Sequence, residues 1–416
     1  MELDEHLFRR ESARMITALT RIFGVHNLAL AEDVVQDAFC RALEVWKVRG
    51  VPENPSAWLM ATAKNRALDV IRRERTASTF APEVSRLFDS EWTLAPVVDE
   101  AFATEIIRDE QLRMMFSCCD PRLKEEVQIA LVLNILCGFG AQEIAGAFLT
   151  GRAAVEKRIA RGKASLATSR RLFDLTDGDV AARLPAVLRA LYLLFNEGYH
   201  SVSTNAVVRT ELCREAIRLT ELLLGDARTA TPATGALAAL MCLHAARLPG
   251  RLDGAGHLSA LVDQDRSTWD AHLIAHGLAL LERSARGDEV STYHLEAAIA
   301  AAHVQSPTLD DTDWDTIIEL YDRLTALAPS PVVALNRAIA IAQRDGEDRG
   351  LDALRAIESS DRLADYPFYR AAFAELELRR GHRDQARTHF EAAFGLARNA
   401  AERQFFEERL RSCEAT

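Results

Sequence analysis

The densest group of side chains that could do chemistry lies between residues 152 and 171, where seven basic residues stand against one acidic residue. Lysine and arginine at this density form the electrostatic footprint expected for contact with phosphate groups. The same run of charge would also suit a helix face that is merely solvated, so its surroundings must decide. Five of these residues are the candidates for DNA contact: Arg152, Lys157, Arg158, Arg161 and Lys163.

The residues around this basic cluster follow the pattern of a helix, a short turn and a second, basic helix. Residues 142–148 predict a short helix, residues 149–151 a tight turn, and residues 152–168 the second helix. The pattern is typical of a helix-turn-helix, in which the second helix enters the major groove. An ordinary helical hairpin is the alternative. Four residues share the predicted buried face of the second helix: Val155, Ile159, Gly162 and Leu166.

A second group of polar residues lies on a predicted helix near residue 35. Asp33, Gln36 and Asp37 fall on one face of this helix, while Val34 and Phe39 can point towards a core. An acidic face with an amide suits a basic helix of a partner protein.

A third group follows the break at residues 49–55, which contain glycine and proline. Asn65, Asp69 and Arg72 lie within about 60° of one another on the wheel of the next predicted helix. Asparagine and arginine can read base edges, and arginine can also hold phosphate. The alternative is that Asp69 pairs with Arg72 or Arg73 and only supports a surface helix.

Two groups in the C-terminal half contain residue types used in catalysis or metal binding. Asp270, His272 and His276 have helical spacing, but leucine follows the first histidine where a zinc protease has glutamate, and no third ligand suggests itself. Glu197 and His200 could form an acid–base pair, although their aromatic neighbours favour a buried helix end. A glycine-rich phosphate loop is also absent from the sequence. We therefore predict no catalytic residue, no cofactor and no metal.

Almost every segment has the composition of a helix, so the sequence predicts an all-α protein. The predicted domains are a small helical domain at residues 1–77, an acidic linker at 78–108 and a helix-turn-helix domain at 109–172. A helical extension at 173–285 and tetratricopeptide-like repeats at 286–416 follow. The repeats are indicated by the spacing of Gly381, Ala386, Phe390 and Ala393, and an unrelated helical bundle is the alternative.

The charge is distributed unevenly along the 416 residues. Residues 1–171 carry 24 basic and 24 acidic side chains and have no net charge, whereas residues 172–416 carry 26 and 37 and account for the net charge of −11. The overall charge alone would argue against a nucleic-acid binder, but the basic cluster lies in the neutral part of the chain.

The compartment is indicated by the cysteines and the first residues. The seven cysteines form no Cys-x-x-Cys pair, and the odd count favours a reduced protein. The N-terminus lacks the pattern of a signal peptide, and the apolar stretches are too short to span a bilayer. We expect a cytoplasmic protein without a membrane segment.

The two polar groups and the helix-turn-helix pattern, joined by an acidic linker, resemble bacterial sigma factors of the extracytoplasmic-function type. The resemblance is carried by residues 31–39, by Trp58 and Leu59, and by the polar face around Asn65. It implies that the first domain binds core RNA polymerase and captures the minus-10 element of promoter DNA. It also implies that the helix-turn-helix reads the minus-35 element.

The resemblance assigns a role to each group of residues. The residues implied in core polymerase binding are Asp33, Gln36, Asp37 and Phe39. Those implied in minus-10 recognition are Asn54, Trp58, Asn65, Asp69, Arg72 and Arg73. The five basic residues Arg152, Lys157, Arg158, Arg161 and Lys163 are implied in minus-35 recognition.

The rest of the chain is similar to one subgroup of these sigma factors, which carries a long C-terminal extension of tetratricopeptide-like helices. The similar stretches are residues 193–199, 263–267, 311–314 and 329–338. The resemblance implies that the extension tunes activity, and it adds a small protein of the DGPF (YCII-like) family as a candidate partner. One departure is Asp120, which follows the paired cysteines where members of the subgroup commonly have a polar, uncharged or basic residue.

A different function remains open at this stage. A helix-turn-helix regulator that binds an operator through its basic helix, with a helical-repeat sensor domain, would never contact polymerase. The acidic face at Asp33, Gln36 and Asp37 distinguishes the two, because only a sigma factor needs it.

Overall fold

The computed structural model describes residues 5–24, 27–73, 104–147, 150–167, 176–199, 209–251, 259–287 and 289–414. In these residues the chain forms 18 α-helices and no β-strand, which confirms the all-α prediction. The chain divides into two compact units, the first made of Met1–Leu194 and Gly225–Thr229 and the second of Phe195–Leu224 and Ala230–Thr416. None of the helices in the described ranges has both the length and the apolar character needed to cross a membrane.

The first unit begins with three helices that pack on one another: α1 (Glu5–Phe23), α2 (Leu28–Arg49) and α3 (Pro55–Arg73). The predicted break between α2 and α3 is confirmed. Gly50 ends α2 with a φ of +80°, a conformation that favours glycine, and α3 begins at a proline, which suits the first position of a helix.

Four further helices of the first unit follow residue 103. They are α4 (Thr104–Cys118), α5 (Glu125–Leu131), α6 (Ala141–Ala147) and α7 (Arg152–Ala167), and one π-helical stretch at Val132–Leu136 continues α5. Helix α4 packs against α1, and α7 packs against α5 and α6. The predicted acidic linker, residues 78–108, lies outside the described residues up to residue 103, and its last five residues belong to α4.

The buried face of α7 is confirmed, because Val155, Ile159, Gly162 and Leu166 are all buried. Gly162 lies directly against Leu131 of α5. A Cβ atom at position 162 would lie 2.8 Å from three side-chain carbons of Leu131. Helices α5 and α7 can therefore approach as closely as they do only because position 162 is glycine.

The next helices are α8 (Asp177–Tyr199), α9 (Thr210–Leu224), α10 (Pro232–Ala245), α11 (Ala271–Ser284) and α12 (Thr292–Gln305). Helix α10 forms the centre of the second unit, since nearly all of its residues are buried and it packs against α9, α11 and α12. A helix that is apolar on every side can be stable only in such a central position.

The last six helices each pack on the next one along the chain: α13 (Trp314–Leu327), α14 (Pro331–Asp345), α15 (Glu347–Arg355), α16 (Pro367–Arg379), α17 (Arg383–Gly395) and α18 (Ala400–Glu414). Gly381, with a φ of +81°, lies in the turn between α16 and α17. Ala386, Phe390 and Ala393 are fully buried on α17. These positions have the environment that the repeat pattern requires, while membership of the tetratricopeptide class stays a prediction.

Replacement of Gly162 by alanine is expected to destabilise the first unit by about 1–3 kcal/mol, because Leu131 and the two helix backbones must move apart. Urea unfolding, monitored by circular dichroism, measures this change. Gly178→Ala on α8 is the matched control, since its new Cβ would meet only Thr176 Oγ1 at an ordinary 3.8 Å. A variant at position 162 as stable as the control variant would contradict the prediction.

Candidate functional site

The acidic face predicted on α2 is present on the surface of the first unit. Asp33, Gln36 and Asp37 are exposed, and Asp33 makes no ion pair within the described residues. Phe39 differs from them, because it is half-buried and packs edge-on against Phe8 with the ring centroids 4.9 Å apart. Three of the four residues predicted to bind polymerase thus form one solvent-facing patch, and the fourth also contributes to packing between α1 and α2.

A polar groove of about 640 Å³ lies between α2 and α3. Arg66 of α3 donates hydrogen bonds from Nε and Nη2 to Asp37 at 2.8 and 2.7 Å across this groove. The groove brings together residues that the sequence assigned to two different partners, since Asp37 lies beside Asn65 and Asp69. Its charged and amide-bearing walls are formed by Asp37, Arg41, Glu44, Asn65, Arg66 and Asp69.

Two residues predicted to contact DNA also have structural roles at the start of α3. The Asn54 side chain accepts a hydrogen bond from the Ala57 backbone N–H at 3.0 Å, and so caps the first turn of the helix. The Trp58 ring packs against the buried ring of Trp46, with 5.4 Å between centroids. Arg72 and Arg73 lie at the end of α3, and their side chains are outside the described part of the chain.

The basic side chains of α7 differ in their exposure to solvent and in whether they form ion pairs. Arg152, Lys157 and Arg161 are exposed, whereas Arg158 and Lys163 are half-buried. Arg152 pairs with Glu156 at 2.7 Å, and Arg158 lies 3.7 Å from Glu126. Lys157 and Arg161 make no ion pair within the described residues. These two side chains are therefore the most available cations for an approaching phosphate.

Lys163 forms an ion pair that joins α7 to the first domain. Its ammonium contacts the carboxylate of Glu32 near the start of α2, and the two side chains are 26% and 24% exposed. A second ion pair, between Arg21 of α1 and the buried Glu110 of α4, is 2.6 Å long. Within the first unit the two predicted domains are thus held together. While Lys163 pairs with Glu32, the carboxylate offsets much of its charge, so Lys163 attracts a phosphate less strongly than an unpaired lysine.

Sequence reasoning missed Glu32, Arg21 and Glu110. Glu32 is 131 residues from Lys163 and Glu110 is 89 residues from Arg21, so no local spacing connects either pair. An i,i+3 or i,i+4 pattern indicates only partners within the same helix.

Asp120, the departure noted in the sequence, is a buried residue that organises the turn before α5. Its carboxylate accepts hydrogen bonds from the Arg122 backbone N–H at 2.8 Å and from Arg122 Nη2 at 2.6 Å. These bonds lower the pKa of the Asp120 carboxyl. Its carbonyl accepts a bond from Gln128 Nε2 at 2.7 Å. The acidic residue therefore fixes the entry to the helices of the second domain.

The residues considered for catalysis or metal binding do not form an active site in the described part of the chain. His272 and His276 are exposed on α11. The Asp270 carboxylate accepts bonds from the backbone N–H groups of His272 and Leu273 and caps α11. His200 lies outside the described residues. Burial raises the pKa of the Cys118 thiol to about 12, so the thiol is protonated at neutral pH and is a poor nucleophile. Across the ranges that the structure describes, no cluster of three or more histidine, cysteine, aspartate or glutamate side chains could hold a metal ion.

Comparison with known proteins identifies two regions of the chain. Residues 7–77 match the family described as Sigma-70 region 2, and residues 183–285 match a family of unknown function, DUF6596. An uncharacterized protein of Rhizobium meliloti (strain 1021) is 39% identical over 396 residues, which cover 94% of this chain and 92% of that protein. No solved structure matches the chain.

The half-buried pair of Glu32 and Lys163 is expected to couple more strongly than the more exposed pair of Asp37 and Arg66. A double-mutant cycle of Glu32→Gln and Lys163→Met should give a coupling free energy of about 1 kcal/mol or more. The cycle of Asp37→Asn and Arg66→Met should give about 0.5 kcal/mol or less, since water screens that pair. Urea unfolding measures both cycles, and equal coupling energies would refute the assignment of Lys163–Glu32 as the interdomain contact.

Proposed function

Because the chain belongs to the sigma-70 family, with an architecture like that of the extracytoplasmic-function type and a C-terminal DUF6596 domain, we propose that it binds core RNA polymerase and directs it to specific promoters. The observation that carries this proposal is the match of residues 7–77 to Sigma-70 region 2, on which the exposed acidic patch of α2 lies. A sigma factor acts in transcription initiation and is not itself an enzyme.

Core polymerase binding is assigned to Asp33, Gln36 and Asp37. Their exposure leaves the Asp33 carboxylate and the Gln36 amide available to a basic helix of the polymerase, and Asp37 can join them by exchanging Arg66 for that helix. Phe39 supports the same surface from the side through its contact with Phe8. The patch needs no rearrangement of the core of the first unit in order to bind.

Recognition of the minus-10 element is assigned to the neighbouring end of the groove between α2 and α3. Asn65 is exposed on α3 and can hydrogen-bond base edges, as can the side chain of Asn54 once it leaves its capping position. Trp58, Asp69, Arg72 and Arg73 complete the proposed set. Contact with single-stranded bases suits the half-buried ring of Trp58, because aromatic faces stack on bases.

Recognition of the minus-35 element is assigned to α7. Lys157 and Arg161 are exposed there, and the opposite face is buried, so that the helix is presented to a groove of duplex DNA. Arg152, Arg158 and Lys163 provide further contacts once they exchange their carboxylate partners for phosphates.

The separation of the two promoter elements requires the Lys163–Glu32 pair to open. Elements about 25 base pairs apart are separated by roughly 85 Å along B-form DNA, at about 3.4 Å per step. A contact between α7 and α2 cannot persist while each domain occupies its own element. The 30 residues between α3 and α4 can reach at most about 100 Å, which is sufficient for this separation. We therefore infer that the Lys163–Glu32 pair belongs to the free protein and opens on promoter DNA.

The C-terminal half is proposed to tune this activity. Its excess of acidic side chains opposes approach to DNA, and successive helix pairs offer surfaces for partners. A small DGPF-type protein as that partner rests on the sequence resemblance alone. The proposed site of action is the cytoplasm, where polymerase transcribes. The competing function, an operator-binding regulator, shares the assignment of α7 but gives no role to the acidic patch.

Asp33→Arg is expected to weaken binding to core RNA polymerase at least tenfold, because it places a cation against a basic partner surface. Co-elution with purified core polymerase at low salt, followed by transcription from promoter fragments, measures the effect. Glu282→Arg on α11 makes the same charge change at an exposed position and should leave binding intact. Failure of the unsubstituted chain to bind polymerase would overturn the sigma-factor proposal and favour the operator-binding regulator.

Lys157→Ala and Arg161→Ala are each expected to reduce the salt dependence of promoter binding by about one unit of slope, since each removes one phosphate contact. Fluorescence anisotropy of the polymerase-bound protein on a labelled promoter, titrated with salt, gives this slope. Arg189→Ala on α8 removes an exposed arginine outside the proposed site and is the control. Slopes that match the control for both variants would remove α7 from the DNA interface.

A further inference from the structure

The second unit contains a buried arginine without a counter-ion. Arg247 directly follows α10, and only 8% of its surface is exposed. Within the described part of the chain its guanidinium makes no ion pair, and its buried Nε has no hydrogen-bond partner. Its contact is with the indole of Trp269, whose centroid lies 5.4 Å from the guanidinium carbon. Arginine is rarely buried unless it is paired.

A second arginine converges on the same indole. The guanidinium of Arg266 lies 5.2 Å from the Trp269 ring centroid and also makes no ion pair within the described residues. It donates to the carbonyls of His303 at 3.0 Å and Ser306 at 2.6 Å, around the end of α12. Burial and the nearby charge of Arg247 lower the pKa of Arg266, against a smaller opposing effect of Asp311. Two like charges therefore lie close together without a carboxylate between them.

The other unsatisfied groups of this cluster are nitrogen atoms that can donate hydrogen bonds. Trp269 Nε1 and His303 Nδ1 are both buried and have no partner. Burial, together with Arg247 and Arg266, lowers the pKa of His303 to about 3, so the imidazole is neutral at physiological pH. A neutral imidazole can carry its proton on Nδ1. The unsatisfied atoms of these side chains are thus all nitrogens, namely Arg247 Nε, Trp269 Nε1 and His303 Nδ1, and two guanidinium charges lie beside them.

Burial of an unpaired cation strongly destabilises a folded protein. Acidic residues that could have paired with Arg247 are abundant, since residues 172–416 contain 37 of them. The absence of a carboxylate partner is therefore a specific feature of this position. We propose that Arg247, Arg266, Trp269 and His303 form a binding site for a small oxyanion, which is the carboxylate or phosphate group of a soluble metabolite. The planar guanidinium binds either group with two parallel hydrogen bonds.

This site belongs to the domain of unknown function. Arg247, Arg266 and Trp269 lie within residues 183–285, which match DUF6596, and His303 follows on α12. Anion binding there is independent of whether the chain acts as a sigma factor. It gives the domain a ligand of defined chemistry.

The test is saturable anion binding to the full-length protein. Isothermal titration calorimetry and thermal unfolding are carried out with inorganic phosphate and, separately, with succinate, each against sodium chloride at equal ionic strength. We expect one of the two anions to bind with a measurable Kd and to raise the melting temperature. A response to phosphate alone identifies a phosphate ester as the ligand class, and a response to succinate alone identifies a carboxylate. A site that binds neither anion overturns the proposal.

Arg247→Met is expected to weaken anion binding at least tenfold and to leave the melting temperature without anion unchanged or higher, because the uncompensated charge is gone. Arg283→Met removes an exposed arginine of α11 and should bind as the unsubstituted protein does. Trp269→Phe removes one unsatisfied donor together with the pyrrole ring and keeps an aromatic face for the two guanidinium groups, and it tests the site if the first variant fails to fold. Anion binding that is the same in Arg247→Met and Trp269→Phe as in the control would overturn the assignment to this cluster.

Discussion

In the first unit, Lys163 of the basic helix α7 is held against Glu32 near the start of α2, and both side chains are largely removed from water. This pair and that of Arg21 with Glu110 connect two groups of helices that are separated in the sequence by 30 residues outside the described ranges. Apolar packing of α4 against α1 joins the same two groups, and the ion pair of Lys163 with Glu32 adds a contact between α7 and α2. Under the proposed function, a phosphate can replace the carboxylate of Glu32 at Lys163, so that DNA can open this ion pair without unfolding the helices that it joins.

The two units differ in how their charged side chains are distributed and buried. In the first unit the charges are balanced overall and sorted in space, with an exposed acidic patch on α2 and a basic surface on α7. In the second unit acid is in excess, yet Arg247 is buried with an indole and without a carboxylate. Grouping exposed charges of one sign on one surface costs little free energy, because water and salt screen their repulsion. A buried unpaired charge has no such screening, and this is why Arg247 indicates a ligand while the acidic surface does not.

The features that follow from local sequence were predictable. Hydrophobic periodicity identified the buried face of α7, including Gly162, and glycine and proline identified the break between α2 and α3. Side-chain roles that depend on short polar contacts were harder to predict from the sequence. Asn54 and Asp270 were functional candidates, and in the structure each caps a helix. The sequence cannot separate the two roles, because asparagine and aspartate are common in both. The partners Glu32 and Lys163 could not be inferred, since only the folded chain brings residues 131 positions apart together. Arg247 gave no signal, because a single arginine is expected at the surface.

The net charge of −11 and a function in DNA binding are compatible because electrostatic interactions in salt are local. At physiological ionic strength the field of an exposed charge decays over about 8 Å. The cations of α7 are therefore felt by a phosphate in contact with that helix, whereas the acidic excess of residues 172–416 acts only on DNA that comes close to it. If the chain binds promoter DNA as proposed, this balance predicts weak binding of free duplex DNA. Under the proposed function, strong promoter binding then requires that polymerase hold the DNA and both predicted DNA-binding domains in place, which would confine recognition to the assembled complex.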